Sequence, residues 1–338
     1  CYLKEINAIG ACRICVVEVK GAKSLVTACV YPVSEGMEVV TNSEKVMASR
    51  KTNLELLLST HDQNCLSCVR STDCELQKLC RDYGVNGMRF IGSRERYAID
   101  DSAPHMVRDD NKCILCRRCV AACQQQHVAV IGANNRGFDT EIGCAFEMPL
   151  SEVACVSCGQ CLVNCPFGAI ADKGQIYQLI QGFNRGDRIY ALVAPAFINQ
   201  FPGLASTGKL KAALKALGFC DVVEVAIGAD LCTVDEAHDF LEEVPEKLDF
   251  MATSCCPAWS MMAKTAFPDL AKNISMTMTP MVFTARMMKQ ADPEARMCFI
   301  GPCAAKKLEA NRKSVRSDVD FVLTFEELQG MFDAKEID

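Results

Sequence analysis

The chain has 338 residues, of which 50% are apolar, and a formal net charge of -6. That length and apolar content can build packed cores for two or three domains without staples, so the 23 cysteines point to metal ligation in a reducing compartment rather than to a secreted disulfide scaffold. The acidic balance and the lack of any long Lys/Arg run argue against a nucleic-acid partner. No apolar run approaches the roughly 18–20 residues of a membrane span, and no charged-then-apolar leader opens the chain, so the expectation is a cytoplasmic protein with no membrane insertion.

The first ligand set is Cys1, Cys12, Cys15 and Cys29, with β-like runs at Val16 to Val19 and Leu25 to Ala28 beside it. Four thiolates on a long loop suit a 2Fe-2S cluster, although four cysteines also make structural zinc sites. The spacing departs from the plant type and resembles longer-looped ferredoxin-like domains of redox complexes. Cys1 opens the chain with no preceding strand to hold it, so further residues are expected before it. The second set, His61, Cys65, Cys68 and Cys74, follows the apolar Leu54 to Leu58 stretch of a predicted helix. One imidazole and three thiolates hold either zinc or a 4Fe-4S cluster, and a neutral nitrogen in place of a thiolate would raise the cluster's potential.

Two copies of C-x2-C-x2-C-x3-C come next, Cys113, Cys116, Cys119, Cys123 and then Cys155, Cys158, Cys161, Cys165, the second followed by Pro166. In the bacterial ferredoxin run the fourth cysteine crosses to the other cluster. Cys113, Cys116, Cys119 and Cys165 are therefore expected to hold one 4Fe-4S cluster, and Cys155, Cys158, Cys161 and Cys123 its partner. Four such sites in series serve electron transfer, although any one alone could be a folding staple.

From Ile189 onward, short apolar runs alternate with helical periodicity. The runs are Ile189 to Val193, Val222 to Ile227, Phe250 to Ala252, Cys298 to Ile300 and Val319 to Leu323. The helices carry Leu210, Leu214 and Leu217 before Gly218, run from Thr233 to about Val244, or are opened by Pro257, Pro280 and Pro302. This punctuation predicts an open α/β sheet with ligands outside the carboxyl ends of its strands, at Ala194-Pro195-Ala196, Thr253 to Pro257 and Gly301-Pro302-Cys303. Proline at the first helical position would put Cys256 and Cys303 at helix N-termini, where thiolate is favoured.

Thr253-Ser254-Cys255-Cys256-Pro257-Ala258-Trp259 and Pro302-Cys303-Ala304-Ala305-Lys306-Lys307-Leu308-Glu309 resemble two active-site signatures of the iron-only (FeFe) hydrogenases, and the relay sites resemble that family's accessory domains in the same order. The resemblance covers essentially the whole chain. It implies α+β iron-sulfur modules followed by an α/β open-sheet hydrogenase lobe. The modules would be a β-grasp 2Fe-2S domain at 1–45, a small histidine-plus-three-cysteine 4Fe-4S module at 46–100 and a bacterial-ferredoxin-like two-cluster domain at 101–180; the lobe would be 181–338. The implied cofactors are one 2Fe-2S cluster, three accessory 4Fe-4S clusters and the H-cluster, a 4Fe-4S cluster joined to a diiron unit with CO, cyanide and azadithiolate. The implied reaction is the reversible union of two protons and two electrons to hydrogen, with a ferredoxin-like electron carrier and hydrogenase maturation factors as partners.

Residue by residue, the resemblance makes Cys256 and Cys303 ligands of the H-cluster and Cys255 the first proton station. Lys306 would be a cation on a cyanide in a dry pocket, with the backbone around Pro195 and Ala196 on the other cyanide. The proton route would continue through Glu236 and Ser275 to Asp239. Thr233-Val234-Asp235-Glu236 also reads as a capping box, and Asp239, one methylene shorter than the family's glutamate, also reads as helix surface. A third signature with the last two ligands is absent up to Asp338, which leads to the expectation of further sequence. Gly301 and Met281 stand where family members carry methionine and glutamine. Met261, Met262, Met287 and Met288 are expected as core filler and Trp259 behind the cysteine loop. Cys80, Cys144, Cys220, Cys232 and Cys298 are expected as buried small hydrophobes. Competing readings are a hydrogen sensor, a hydrogenase-like iron-sulfur assembly factor, or an electron-transfer subunit of a complex I, diaphorase or formate dehydrogenase type of assembly.

Overall fold

The computed structural model describes residues 1–87, 89–91, 97–201, 203–204, 206–313 and 315–337; Asp338, the last residue of the predicted lobe, lies outside the described residues. Two compact units divide it, the first Cys1–Cys155 with Gln160–Asp172 and the second Val156–Gly159 with Lys173–Asp338.

In the first unit, β-branched runs form a three-stranded antiparallel sheet of β1 (Val16–Val19), β2 (Val26–Thr27) and β3 (Val39–Val40), with β1 central. Helix α1 (Glu44–Thr60) starts at Ser43, whose Oγ accepts from the Val46 amide at 3.3 Å. From α1, Arg50 donates through Nε and Nη2 to the Val16 carbonyl, at 3.1 and 2.8 Å, and so pins the helix to β1. After α2 (Glu75–Asp82) come β4 (Met106–Arg108), α3 (Arg118–Gln125), β5 (Ile131–Asn134), β6 (Glu141–Cys144), α4 (Gln160–Asn164) and β7 (Ile170–Asp172). β4 pairs with β7 and β5 with β6, both antiparallel, and α3 packs on α4. Ile131, Ile142, Leu150 and Ile170 bury here in one core with Cys119, Cys123, Cys161 and Cys165.

The second unit opens with α5 (Ile176–Arg185), which ends at Gly186 with φ 79°, a left-handed cap that glycine adopts without steric cost. It continues through β8 (Ile189–Val193), α6 (Thr207–Leu217), β9 (Asp221–Glu224), α7 (Ala226–Glu243), α8 (Pro257–Ala266), α9 (Pro280–Ala291), β10 (Arg296–Gly301), α10 (Ala305–Asn311), β11 (Phe321–Thr324) and α11 (Phe325–Ala334). The sheet is parallel in the order β11-β10-β8-β9, and the apolar runs of β8, β10 and β11 are buried as sheets covered by helices require.

Three predicted elements need correction. The run Val222 to Ile227 ends as strand at Glu224, because Val225 already has helical φ/ψ and α7 begins at Ala226, well before Thr233. Close packing holds that early turn, since a Cβ on Gly228 would strike the Thr284 hydroxyl and come within 2.7 Å of the Pro280 carbonyl on α9. Thr233 is consequently mid-helix, with its hydroxyl on the Ala229 carbonyl at 2.8 Å, and the capping-box reading of Thr233 to Glu236 fails. Phe250 to Ala252 is no strand: only the bridge Ala252 to Ile274 forms, and the Asn273 side chain takes the Phe250 carbonyl at 2.7 Å. Helix α10 begins at Ala305 rather than at Pro302, preceded by tight turns in which Lys306 and Lys307 amides bond the carbonyls of Cys303 and Ala304.

Candidate functional site

Cys1, Cys12, Cys15 and Cys29 are all half-buried. The Cys29 thiol is pushed up by burial and then by Cys15 and Cys12, and the Cys1 nitrogen lies 3.4 Å from the Cys12 sulfur. Mutual destabilisation of neighbouring thiolates is what a bound metal relieves.

His61, Cys65, Cys68 and Cys74 line one cavity of about 430 Å³, with Cys80 as a fifth donor. Cys74 sits at the N-cap of α2, and His61 is edge-on to Phe167 at 6.3 Å between ring centres. A Cβ on Gly168 would strike the Cys68 sulfur, so only glycine leaves room there. Cys80, expected as a plain buried thiol, is half-buried and pushed up by burial and then by Cys74 and Cys65. Helical spacing gave no signal for it, since six residues from Cys74 falls off the shared face of α2.

Cys113, Cys116, Cys119 and Cys165 line a second, apolar cavity. Burial comes first among the causes that push up Cys113, Cys119 and Cys165, and Cys116 is a further cause for each. The two motif copies repeat one backbone device: Leu115 and Arg117 have φ of 55° and 58°, and Ser157 and Gly159 have 56° and 76°. Left-handed residues alternating through a loop turn successive amides to one side, an anion-binding concavity, and the Leu115 amide indeed donates to the Cys113 sulfur at 3.3 Å. Cys123 and Cys161 are buried in the first unit's core with Cys155 packed against it, whereas Cys158 lies half-buried in Val156–Gly159, within the second unit. Among the described residues, no three His, Cys, Asp or Glu side chains are grouped as for a single metal ion. Four cysteines on one cavity, a histidine with cysteines on another and an amide turned toward the Cys113 sulfur fit iron-sulfur clusters, in which each iron takes its own ligand.

In the second unit, β8 and β10 are adjacent and parallel, so Pro195 and Ala196 follow one strand and Pro302 and Cys303 follow the other at the same sheet edge. Cys256 is the N-cap of α8, its sulfur 3.5 Å from the Trp259 amide. Lys306 donates to the Cys255 carbonyl at 2.9 Å and pairs with Glu309 at 2.6 Å, and Glu309 also accepts from the Thr279 hydroxyl at 2.7 Å. This network ties α10 to the cysteine loop and to the start of α9. Cys255, Cys256, Pro195 and Ala196 are exposed and Trp259 is 40% exposed, whereas the Lys306 side chain is 14% exposed.

Of the expected proton route, Asp239 accepts from the Thr277 hydroxyl at 3.1 Å, and the Thr277 amide donates to Ser275 Oγ at 3.2 Å. Thr277, which sequence reasoning missed, thus joins Asp239 to Ser275. Cys232 is buried as expected and donates to the Met278 carbonyl at 3.1 Å; burial, then Glu236 and Cys255, push its thiol up to about 11. Cys144 and Cys298 are fully buried as expected, while Cys220 is exposed. Of the four methionines, Met288 packs on the core, and Met261, Met262 and Met287 are only half-buried.

Met281 is 1% exposed within the core, and Gly301 lies under the Phe299 ring. A Cβ at Gly301 would come within 2.6 Å of Phe299 and 3.3 Å of the Ala194 Cβ. Gly301→Met is therefore expected to destabilise the chain by about 1–3 kcal/mol through overpacking, read as a lower urea midpoint, and Phe299→Leu in the same chain should recover part of it.

With this geometry in view, four family models match in chain order: "2Fe-2S iron-sulfur cluster binding domain" at residues 1–44, "NADH-ubiquinone oxidoreductase-G iron-sulfur binding region" at 50–89, "4Fe-4S dicluster domain" at 112–169 and "Iron only hydrogenase large subunit, C-terminal domain" at 187–338. The chain is a modular iron-sulfur protein related to domains of the FeFe-hydrogenase family. It is 35% identical to the NADP-reducing hydrogenase subunit HndD of Solidesulfovibrio fructosivorans over 98% of the chain, and 31% identical to iron hydrogenase 1 of Clostridium pasteurianum over 99%. It spans 62% of the length of each of these relatives. The NADPH-Fe(3+) oxidoreductase subunit alpha of Geobacter sulfurreducens is 35% identical over 51% of the chain and 20% of its own length. No helix among the described residues is long and apolar enough to cross a membrane.

Proposed function

We propose that the chain is an electron-relay component of a hydrogenase-type assembly, in which the ligand sets of the first unit pass single electrons to or from a ferredoxin-like carrier. The observation that carries this reading is the convergence of Cys113, Cys116 and Cys119 with Cys165, from the other motif copy, on one cavity. Crossover ligation of this kind is the arrangement of two-cluster bacterial ferredoxins. The match of about half the chain to an oxidoreductase subunit supports the same reading. Purified, reconstituted protein is expected to hold roughly 14 irons per chain in the relay sites, with separate paramagnetic signals on stepwise reduction. Zinc in place of iron, or thiols that bind neither, would sink it.

Hydrogen turnover is a second reading, favoured by the Lys306 network at the Cys255 carbonyl. A diiron unit would supply the metal on which hydrogen is made or split. Cys256 and Cys303 would hold its neighbouring cluster, Cys255 would carry a proton on its sulfur, and Thr277 would align Ser275 and Asp239 in the outer route. Infrared bands of metal-bound CO and cyanide are expected after maturation in a host that supplies the maturation factors, together with the remainder of the length its relatives have. Cys255→Ala should then keep those bands and lose most hydrogen evolution. Bands without turnover in the unaltered protein would select the sensor reading, and clusters without bands would leave the electron-transfer or assembly-factor readings.

A further inference from the structure

Asn7 is 5% exposed and belongs to no ligand set, yet its side-chain amide donates to two carbonyls from different modules. Nδ2 lies 2.7 Å from the Cys1 oxygen and 3.0 Å from the Cys116 oxygen. Both partners are acceptors with no proton to give, so the amide orientation is set by chemistry. A tight turn holds the side chain in place. Leu3 and Asn7 exchange both backbone hydrogen bonds at 2.8 Å, and Glu5 between them has φ 62°. A second anchor, independent of Asn7, is the Arg118 guanidinium on the Tyr2 carbonyl at 2.8 Å.

We propose that Asn7 is a positioning residue that clamps the Cys1 ligand loop to the Cys116 ligand loop and carries the electronic coupling between the first and third ligand sets. The proposal rests on the relay reading. Between the sulfur of Cys1 and that of Cys116, the route through Asn7 consists of covalent bonds interrupted only by the two hydrogen bonds. One electron leaves the first site and one enters the third. No bond forms or breaks and no proton moves, and the electron comes from a one-electron donor such as a reduced ferredoxin. Asn7 would act in two ways. It fixes the separation of the sites, and it places an amide proton on the carbonyl of each ligand residue, which draws electron density from the ligand and favours the reduced state of each site.

The test uses the full reconstituted chain, with Asn7→Leu and Asn7→Ser set against Arg118→Leu. Iron content and the separate paramagnetic signals report first whether both clusters are present. In the Asn7 variants both clusters are expected to remain. The magnetic interaction between the first and third sites should weaken, their potentials should fall, and electron transfer from the 2Fe-2S site, timed after rapid reduction, should slow several-fold. Asn7→Ser retains one donor and should fall between Asn7→Leu and the unaltered chain. Arg118→Leu removes the second docking contact together with one cation, so a fall in potential there reads the lost charge, while the magnetic interaction carried through Asn7 should remain. Unaltered coupling and potentials in Asn7→Leu, with both clusters present, would overturn the role of Asn7 and leave the relay reading standing. Should Asn7→Leu lose a cluster, Asn7→Ser decides on the same readouts. Absence of either cluster from the unaltered chain would overturn both readings.

Discussion

Lys307→Met is expected to cost the second unit about 3–5 kcal/mol, the loss that follows when one partner of a buried ion pair is removed. Lys307 has no exposed surface; its Nζ reaches Glu327 Oε1 at 3.0 Å and the Lys173 carbonyl at 3.1 Å. Glu327 cannot turn away to water cheaply, because its other oxygen accepts from the Thr324 amide at 2.7 Å in the capping box that starts α11. Without the cation, a largely buried carboxylate loses its ion-pair partner, and keeping its charge out of water adds to the lost attraction. Adding Glu327→Gln should recover part of the loss, since it removes that charge and keeps an acceptor for the cap. Urea unfolding of the three variants measures this, and single and double variants of equal stability would show that no such coupling exists.

Cys119→Ser is expected to remove about four irons per chain and to loosen the core shared by α3 and α4. Cys119 is 8% exposed, with Cys123, Cys161 and Cys165 equally buried around it. Burial and neighbouring thiols push its thiol well up, so the cluster-free site holds neutral thiols, and ligation that draws off those protons adds its binding free energy to folding. Serine keeps the volume but not the soft thiolate. Cys144 is the control. It lies fully buried in the same core outside every ligand set, and Cys144→Ala should keep the full iron content while costing a little stability. Iron and sulfide analysis beside a thermal melt separates the two variants, and equal iron in both would refute ligation by Cys119.

Local chemistry was legible without the structure. Val16–Val19 and Ile189–Val193 are strands where β-branched and apolar runs predict them, and Pro257 and Pro280 each open a helix where a missing amide proton does no harm. The cysteine spacing was legible for the same reason: donors a few residues apart on one loop meet with little dependence on the rest of the chain. The early start of α7 and the loss of a strand at Phe250 were not, because each turns on a partner distant in sequence, and the delayed start of α10 comes from local turns that Pro302 does not announce.

The sequence by itself determined the cysteine motifs, their order, and the parallel βα pattern of the second half. Only the tertiary structure decided which residues stand around them: Cys80 in the cavity that His61 lines, Thr277 between Ser275 and Asp239, Lys306 on the Cys255 carbonyl, and Asn7 between Cys1 and Cys116. The division has a physical cause. Propensity and spacing act over a few residues, whereas a buried donor is placed by whichever acceptor folding brings to it, and for Asn7 that acceptor lies 109 residues away.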